Sequence, residues 1–331
     1  MTQLRTSDAW RLFSFNWVPI GLMAVALVLG LALTDFSIKP ASMLFPYGSA
    51  ALYAGVALYN AHRSRKGGDP LVVYVLGSTA QILFITLLMT PLTYIAAASA
   101  LPLTDGSLAY LDRALGLDWR AYLYFFYDHP RLIPGLDFGY RMIALPVFII
   151  PMALTLGRRY RRLQEFTLAF SLALIATTVI SIFTPAVGAY GELGIDPNSV
   201  LSAGGYLDTL RDLPPVRDGS LRELNVGALS GIITFPSFHA AAAALYLWAL
   251  WSVWWMRPFA LIANGAMLVA TPVGGGHYFV DVFAGVAVAV LAIFAALRLC
   301  EWLIKPAAQP LAAEYAPALA MTAAKEAIET P

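Results

Sequence analysis

Two histidines and one aspartate in the last third of the chain have the types and spacing that could perform group transfer. His239 follows Phe235-Pro236-Ser237-Phe238, and His277 follows three glycines and stands four positions before Asp281. On a helix, a carboxylate four residues away lies one turn along the same face, where it can bond one imidazole nitrogen and increase the nucleophilicity of the other. A second imidazole can protonate a leaving alkoxide. The three side chains therefore suit phosphoryl transfer through a phosphohistidine.

The distance between the two histidines along the chain predicts one shared site. Arg257-Pro258 begins 18 positions after His239, and His277 lies 19 positions after Pro258. Each interval is close to the length of one helical membrane crossing, so a hairpin of two helices would return the chain to the face from which it started. We therefore expect the imidazoles of His239 and His277 to lie close together at one membrane boundary.

The residues beside these histidines are suited to bind an anion. Ser237 precedes the N-terminus of an apolar helix, where backbone N–H groups and the helix dipole favour a phosphate. Gly275 and Gly276 would let backbone amides approach the same anion closely. We predict Ser237, Gly275 and Gly276 as phosphate-binding residues.

Three arginines are candidates to neutralise that phosphate. Arg141 lies near the outer end of a predicted span, where an intramembrane charge marks a functional site or extends to the interface beside Asp137. Arg217 and Arg222 lie on the loop that leads to Pro236. Each of these two is a solvated loop charge or folds over the site.

Other interpretations of two histidines and an acid are a structural hydrogen bond, a metal site and a proton relay. The chain has four histidines and one cysteine, Cys300, which is a poor supply of ligands for a zinc cage. His62 lies in a basic turn and His129 in an aromatic loop, and we expect neither to be functional. We predict no metal and no cofactor.

At these residues the sequence resembles the type 2 phosphatidic acid phosphatase superfamily of membrane lipid phosphatases and phosphotransferases. The second motif of that superfamily, Pro-Ser-x-His, is present as Pro236-Ser237-Phe238-His239. Its third motif ends in His-x-x-x-Asp, present as His277-Tyr278-Phe279-Val280-Asp281. The run His-Tyr-Phe-Val-Asp is similar to that of the fungal inositol phosphorylceramide synthases, which transfer a phosphorylated head group between lipids. The motifs cover residues 235–285.

The resemblance implies a role for each matching residue. His277 would be the nucleophile, and Asp281 would orient and polarise it. His239 would protonate the leaving group and then activate the acceptor hydroxyl, while Ser237 would bind the phosphate.

The sequence also departs from the superfamily pattern. The first motif, a Lys followed seven residues later by Arg-Pro, is absent, because the only Arg-Pro is preceded at that distance by Leu250. The Ser-Arg that usually begins the third motif is replaced by Ala270-Thr271. Two phosphate-binding cations are thereby missing, which favours a transferase.

The composition requires that these residues be positioned by membrane helices. Of 331 residues, 59% are hydrophobic and 12% are charged, about half the charged fraction of a soluble domain. The net charge of +1 indicates no nucleic-acid surface, and the single cysteine excludes a disulfide framework. Eight apolar runs predict an all-α polytopic membrane bundle of about eight transmembrane helices: 17–34, 44–61, 71–101, 138–156, 166–187, 237–256, 259–275 and 278–300. Pro91 predicts a kink or a re-entrant tail in the third run.

The distribution of charge predicts the orientation. With the N-terminus in the cytoplasm, thirteen Lys and Arg residues lie inside and eight outside. This solution places both termini in the cytoplasm and the histidine site at the outer face. Leu108, Leu111, Leu115 and Leu117 predict an amphipathic interfacial helix on the outer side, within 102–137. We expect one membrane domain over 1–304 and a flexible cytoplasmic tail over 305–331.

The leading hypothesis is a lipid phosphotransferase that acts on a phospholipid, sphingolipid or polyprenyl phosphate. Its partners would be a donor lipid and a lipid acceptor such as ceramide, with the oligomeric state left open. The alternative is a lipid phosphate phosphatase that uses the same residues with water as acceptor. A proton-coupled transporter and a catalytically inactive scaffold are rival hypotheses from other classes.

Overall fold

The computed structural model describes residues 8–63, 69–99, 101–144, 146–200 and 203–305. The predicted tail over 305–331 lies outside these residues except for Lys305. The helices, numbered in chain order, are α1 (Asp8–Phe15), α2 (Trp17–Leu33), α3 (Pro40–Arg63), α4 (Pro70–Ala97), α5 (Asp105–Ala114), α6 (Trp119–Asp128), α7 (Ile133–Arg141), α8 (Pro146–Leu156), α9 (Tyr160–Phe183), α10 (Ala189–Glu192), α11 (Gly204–Asp218), α12 (Phe238–Trp251), α13 (Arg257–Gly275) and α14 (Phe279–Ile304). Two short strands, β1 (Ser37–Ile38) and β2 (Glu223–Leu224), pair in parallel.

The architecture is an all-α membrane bundle, as the sequence predicts. Within the described ranges, six helical stretches are long and apolar enough to cross a membrane: Asp8–Leu33, Pro40–Arg63, Pro70–Ala97, Tyr160–Phe183, Trp254–Gly275 and Phe279–Ile304. Their apolar surface is exposed on the peripheral helices, as in α2, where Leu22 and Val28 are both more than half exposed. Surface of this kind is suited to lipid rather than water. The chain is an integral membrane protein.

Two of the eight predicted spans are shorter than expected. The predicted span 138–156 is divided, because α7 ends at Arg141 and α8 begins only at Pro146. Proline fixes its own backbone and disfavours helical geometry in the residue before it, so a helix often starts at proline. With 11 residues, α8 is about 16 Å long, and α12, with 14 residues, is about 21 Å long; both are shorter than the roughly 30 Å hydrocarbon core.

Two of the most buried helices of the bundle are α4 and α9. Their most apolar windows are 61% and 56% buried, whereas that of α3 is only 17% buried. Both helices also bury polar side chains that form hydrogen bonds, such as Gln81, which donates to the carbonyl oxygen of Phe13, and Gln164, which donates to Oγ of Ser78. α4 continues through Pro91 as far as Ala97, so the run shows no re-entrant turn at the proline.

The segment predicted to form an interfacial helix contains two helices, α5 and α6. Leu108 is buried, but Leu111 and Leu115 are 46% and 61% exposed. The buried face of α5 instead includes two carboxylates, Asp105 and Asp112. The exposed leucines are the side that an interfacial helix turns toward lipid, so the interfacial placement stays a prediction. The sequence pattern did not predict the acidic buried side, whose carboxylates accept hydrogen bonds from backbone N–H groups of other segments.

Candidate active site

The hairpin of α12 and α13 brings the two histidines together. His239 lies in the first turn of α12, and His277 follows the C-terminus of α13, which runs back along α12. The ring centroids of His239 and His277 are 6.4 Å apart, with an interplanar angle of 55°. The hairpin spacing in the sequence predicts this proximity. At this separation both imidazoles can contact one phosphoryl group.

The backbone of Thr234 determines which nitrogen of His277 is free. Nδ1 of His277 lies 2.8 Å from the carbonyl oxygen of Thr234. Because a carbonyl oxygen only accepts hydrogen bonds, Nδ1 carries the proton and donates. Nε2 is then left with a lone pair. His277 is buried except for its contribution to a cavity, where this lone pair is available to a substrate.

Asp281 lies beside the same nitrogen but at a longer distance. Its Oδ2 is 3.4 Å from Nδ1 of His277 and accepts a hydrogen bond of 2.8 Å from the backbone N–H of Tyr278. The second contact forms a capping box at the start of α14. Oδ1 of Asp281 is buried and has no hydrogen-bond partner among the described residues. Asp281 therefore both caps α14 and places negative charge next to the imidazole.

The two histidines open into a cavity of about 430 Å³. Tyr140 and Gly275 line the same end of the cavity, and the Tyr140 ring stacks on the His239 ring at 4.1 Å and 13°. Away from the histidines the lining is mainly apolar and includes Leu83, Ile143, Val147, Phe148, Phe170 and Leu174. A cavity with one polar end and a long apolar remainder is suited to an amphiphile.

The turn that carries His277 is held by side chains of α5 and α6. The two carboxylate oxygens of Asp112 accept hydrogen bonds of 2.9 Å from the backbone N–H groups of Phe279 and Val280, the first residues of α14. The indole N–H of Trp119 donates to the carbonyl oxygen of His277 at 3.0 Å. Burial raises the pKa of the Asp112 carboxyl, and the two N–H donors act in the opposite direction. Helices α5 and α6 therefore fix both ends of the turn.

Asp105, also on α5, supports the same region from a second side. Its carboxylate accepts from the backbone N–H groups of Val187 and Gly188 and from the Tyr278 hydroxyl, the last at 3.1 Å. Each buried oxygen thus has a donor, which is the usual condition for burying a carboxylate.

The small residues predicted to bind phosphate occupy three different positions. Ser237 is fully buried and caps α12, where its Oγ accepts from the backbone N–H of Ala240 at 3.4 Å. Gly275 lines the cavity. Gly276 has a φ of 66° and is not among the residues that line the cavity. Its carbonyl oxygen accepts a hydrogen bond of 2.7 Å from the backbone N–H of Ala189.

The three predicted arginines are held at other places. Arg141 forms an ion pair of 2.9 Å with Asp137 on the surface, which is the second of the two arrangements expected from the sequence. Arg217 donates to the carbonyl oxygens of Ser99 and Leu101, just beyond the C-terminus of α4. Arginine is favourable there because carbonyl groups in irregular backbone need hydrogen-bond donors from outside a helix or strand.

Arg222 donates to the carbonyl oxygen of Val216 at 2.7 Å and lies over the Phe36 ring. The structure therefore does not bring Arg141, Arg217 and Arg222 to the histidines.

A fourth arginine, Arg211, lies nearer to the cavity. Its guanidinium bonds both oxygens of Asp212, at 2.7 and 2.9 Å, and lies 3.4 Å from Oγ of Ser230, a cavity-lining residue. Burial alone would raise the pKa of Asp212, but the hydrogen bonds from Arg211 and Tyr94 outweigh burial and lower it. The Arg211 charge is thus offset by a fixed carboxylate.

Sequence patterns missed several of these residues. Thr234 contributes a backbone oxygen, which its side-chain type does not reveal, although it stands just before the Pro236 motif. Asp112 and Trp119 are far from the motif in sequence. Tyr140 is adjacent to Arg141, and the same observation, a polar side chain at the end of an apolar run, could have identified it.

Comparison with known proteins identifies the family. A family model described as the PAP2 superfamily matches residues 106–295, more than half of the chain. The searches of curated proteins and of solved structures returned no match. The chain therefore belongs to the PAP2 superfamily.

Membership of this superfamily defines the class of activity. The protein is a membrane enzyme of the phosphatase or phosphotransferase type, and its substrates are lipid phosphates. The matched range includes Asp112, Trp119, both histidines and Asp281, so it covers the histidine site, whereas Asp105 and the cavity-lining residues of α4 lie before it.

Proposed function

We propose that the protein is an integral-membrane lipid phosphotransferase that forms a phosphohistidine at Nε2 of His277. The observation that carries this proposal is the hydrogen bond of 2.8 Å between Nδ1 of His277 and the carbonyl oxygen of Thr234. This contact fixes the tautomer whose Nε2 is a nucleophile. The ring centroid of His239 is 6.4 Å from that of His277. In this proposal the phosphoryl group lies between the two rings.

The reaction has two halves. In the first, Nε2 of His277 attacks phosphorus, an N–P bond forms, and the P–O bond to the leaving alcohol breaks while protonated His239 gives its proton to the leaving oxygen. In the second, an acceptor hydroxyl attacks the same phosphorus, its proton passes to His239, and the N–P bond breaks. Asp281, next to Nδ1, stabilises the positive charge on the phosphorylated imidazole.

The cavity supports a lipid donor. Its histidine end holds the reacting phosphate, and the apolar remainder, which includes Phe148, Phe170 and Leu174, holds hydrocarbon chain. The donor is a phospholipid, sphingolipid or polyprenyl phosphate, and the acceptor is a lipid alcohol such as ceramide. The motif similarity to the inositol phosphorylceramide synthases, and the absence of the first motif of the superfamily, favour transfer over hydrolysis.

The site operates at the outer leaflet in this proposal, with both termini in the cytoplasm. The support is the excess of Lys and Arg on the loops at the opposite end of the bundle from His239 and His277. Basic clusters stand at 62–66 and 158–162, after α3 and α8.

A labelled-lipid assay separates transfer from hydrolysis. The purified protein is given a phospholipid labelled in its head-group phosphate, with and without a long-chain lipid alcohol. Transfer predicts that the label moves to the added alcohol and that little water-soluble product forms without it. Release of soluble product at the same rate in both conditions would establish the phosphatase alternative.

The matched controls for this assay are histidine variants. His277→Gln should abolish the reaction. His129→Gln removes a histidine that bonds the Phe125 carbonyl oxygen at 2.8 Å, outside the residues that line the cavity, and should leave the rate unchanged.

A further inference from the structure

Tyr140 is built into the histidine end of the cavity by the glycines around it. Its ring lies at the end of α7 against α13, where a Cβ at Gly274 would be 2.6 Å from Cγ of Tyr140. Gly205, on α11, contacts the other part of the ring so closely that a Cβ there would overlap the hydroxyl. Larger residues at 205 or 274 would displace this ring, so the packing assigns it one position.

That position places the Tyr140 hydroxyl beside the nucleophilic nitrogen. A Cβ at Gly275 would lie 2.9 Å from the Tyr140 hydroxyl oxygen and 2.9 Å from Nε2 of His277. The two atoms therefore lie on the same side of Gly275, within reach of one small group. The ring of Tyr140 meanwhile stacks on His239, so one side chain touches both halves of the histidine pair.

The hydroxyl of Tyr140 is also available to a ligand. Other hydroxyls in the bundle are engaged: Tyr190 donates to the carbonyl oxygen of Val273, and Tyr246 donates to that of Ile143. Among the described residues, no group bonds the Tyr140 hydroxyl, which borders the cavity. Tyrosine hydroxyls removed from water normally have a partner. Here the partner is expected to be the substrate.

We infer that Tyr140 is a further catalytic residue, whose hydroxyl donates a hydrogen bond to a non-bridging oxygen of the phosphoryl group while Nε2 of His277 attacks phosphorus. This inference rests on the proposed function. Charge on the non-bridging oxygens is what a phosphoryl-transfer site must stabilise, and a preorganised donor in a water-poor cavity does so effectively. Tyr140 keeps its proton throughout, because His239 is the group that exchanges protons with the leaving and entering oxygens.

In this proposal the neutral hydroxyl of Tyr140 provides part of the phosphate stabilisation that an arginine side chain would otherwise provide. The guanidinium groups of Arg141, Arg217 and Arg222 bond a carboxylate or carbonyl groups elsewhere, as described above. The Tyr140 hydroxyl, in contrast, already lies at the reacting end.

Tyr140→Phe tests the inference, because it removes the hydroxyl and keeps the ring that stacks on His239. We expect the single-turnover rate of phosphohistidine formation in the full-length protein to fall by about 10²-fold, the loss typical of one preorganised donor. The KM should change much less, because the apolar part of the cavity is untouched. Tyr47→Phe is the matched control: the Tyr47 hydroxyl bonds the carbonyl oxygen of Leu87 at 2.8 Å, away from the cavity, and its loss should leave the rate unchanged.

Each outcome has a defined meaning. A Tyr140→Phe protein with the wild-type rate of phosphohistidine formation would overturn the inference, and so would a loss confined to Tyr140→Leu, since only the ring would then matter. If wild-type protein forms no phosphohistidine, the proposed function fails instead.

Should Tyr140→Phe not fold, as judged by gel filtration in detergent, 3,5-difluorotyrosine at position 140 keeps the shape and makes the hydroxyl more acidic. An unchanged rate with that residue would also contradict the inference.

Discussion

Nδ1 of His277 lies 2.8 Å from the carbonyl oxygen of Thr234, nearer than the 3.4 Å that separates it from Oδ2 of Asp281. The main chain, rather than the carboxylate, thus fixes the tautomer of the nucleophile. The segment before the Pro236 motif and the turn after α13 are tied together by this one bond. Asp281 then serves to stabilise positive charge on the imidazole and to cap α14.

This arrangement predicts a partial effect for Asp281→Asn. The Thr234 carbonyl still holds Nδ1–H, so the nucleophile keeps its tautomer while it loses the neighbouring charge. We expect kcat to fall by about 10²-fold, within the range for one positioned acid–base group. His277→Gln measured in parallel should be inactive. Equal loss of activity in the two variants would show that Asp281, and not Thr234, fixes the imidazole.

Asp112→Ala should destabilise the protein and slow the reaction. It leaves the backbone N–H groups of Phe279 and Val280 without acceptors, at a cost of about 1–3 kcal/mol for a buried donor. Thermal unfolding in detergent and kcat measure the two effects. Asp128→Ala is the control, because Asp128 is exposed at the end of α6 and its loss should leave the stability unchanged. Equal melting temperatures of the two variants would show that the hydrogen bonds from Phe279 and Val280 to Asp112 do not stabilise the start of α14.

Gly276→Ala should be strongly destabilising. The backbone at Gly276 has a φ of 66°, which costs a non-glycine residue about 1–2 kcal/mol, and a Cβ there would also overlap the Tyr206 ring. Gly204→Ala, where a Cβ meets nothing within 4 Å, should be neutral. The yield of monodisperse protein and its melting temperature compare the two. A stable Gly276→Ala protein would mean that the turn before His277 adopts another geometry.

The proposed orientation predicts which positions react with a membrane-impermeant thiol reagent. In a Cys300→Ser background, Ser220→Cys lies in the segment that leads to α12, and His62→Cys lies in the last turn of α3, at the opposite end of the bundle. Cysteine at position 220 should be labelled in intact cells, and cysteine at position 62 only after the membrane is opened. The reverse labelling pattern would show that the protein has the opposite orientation in the membrane, with the site at the inner leaflet.

The sequence was sufficient for the class of fold and for the histidine pair, because both depend on local patterns. Apolar runs identify membrane helices, and the two intervals around Arg257-Pro258 are enough to bring His239 and His277 to one end. The limits of the spans were less accurate where proline intervenes, as at Pro146.

The support around the histidines could not be predicted in the same way. Asp112 and Phe279 are 167 positions apart, and no periodicity connects them. The partners of the arginines could not be predicted for a related reason: Arg217 was proposed from its place on the loop that leads to Pro236, but in the structure it donates to carbonyl oxygens beyond the end of α4. Which partner a long charged side chain finds depends on tertiary packing.

Trapping the covalent intermediate is the most direct test of the central claim, a phosphohistidine on His277. Wild-type protein is mixed with a phospholipid carrying labelled phosphate, quenched within one turnover, and digested. A phosphoramidate is lost in acid and survives alkali, so the account predicts an acid-labile, alkali-stable label on the peptide that contains His277 and none in His277→Gln. Label that persists in His277→Gln, or turnover by that variant above a few per cent of the wild-type rate, would contradict the account.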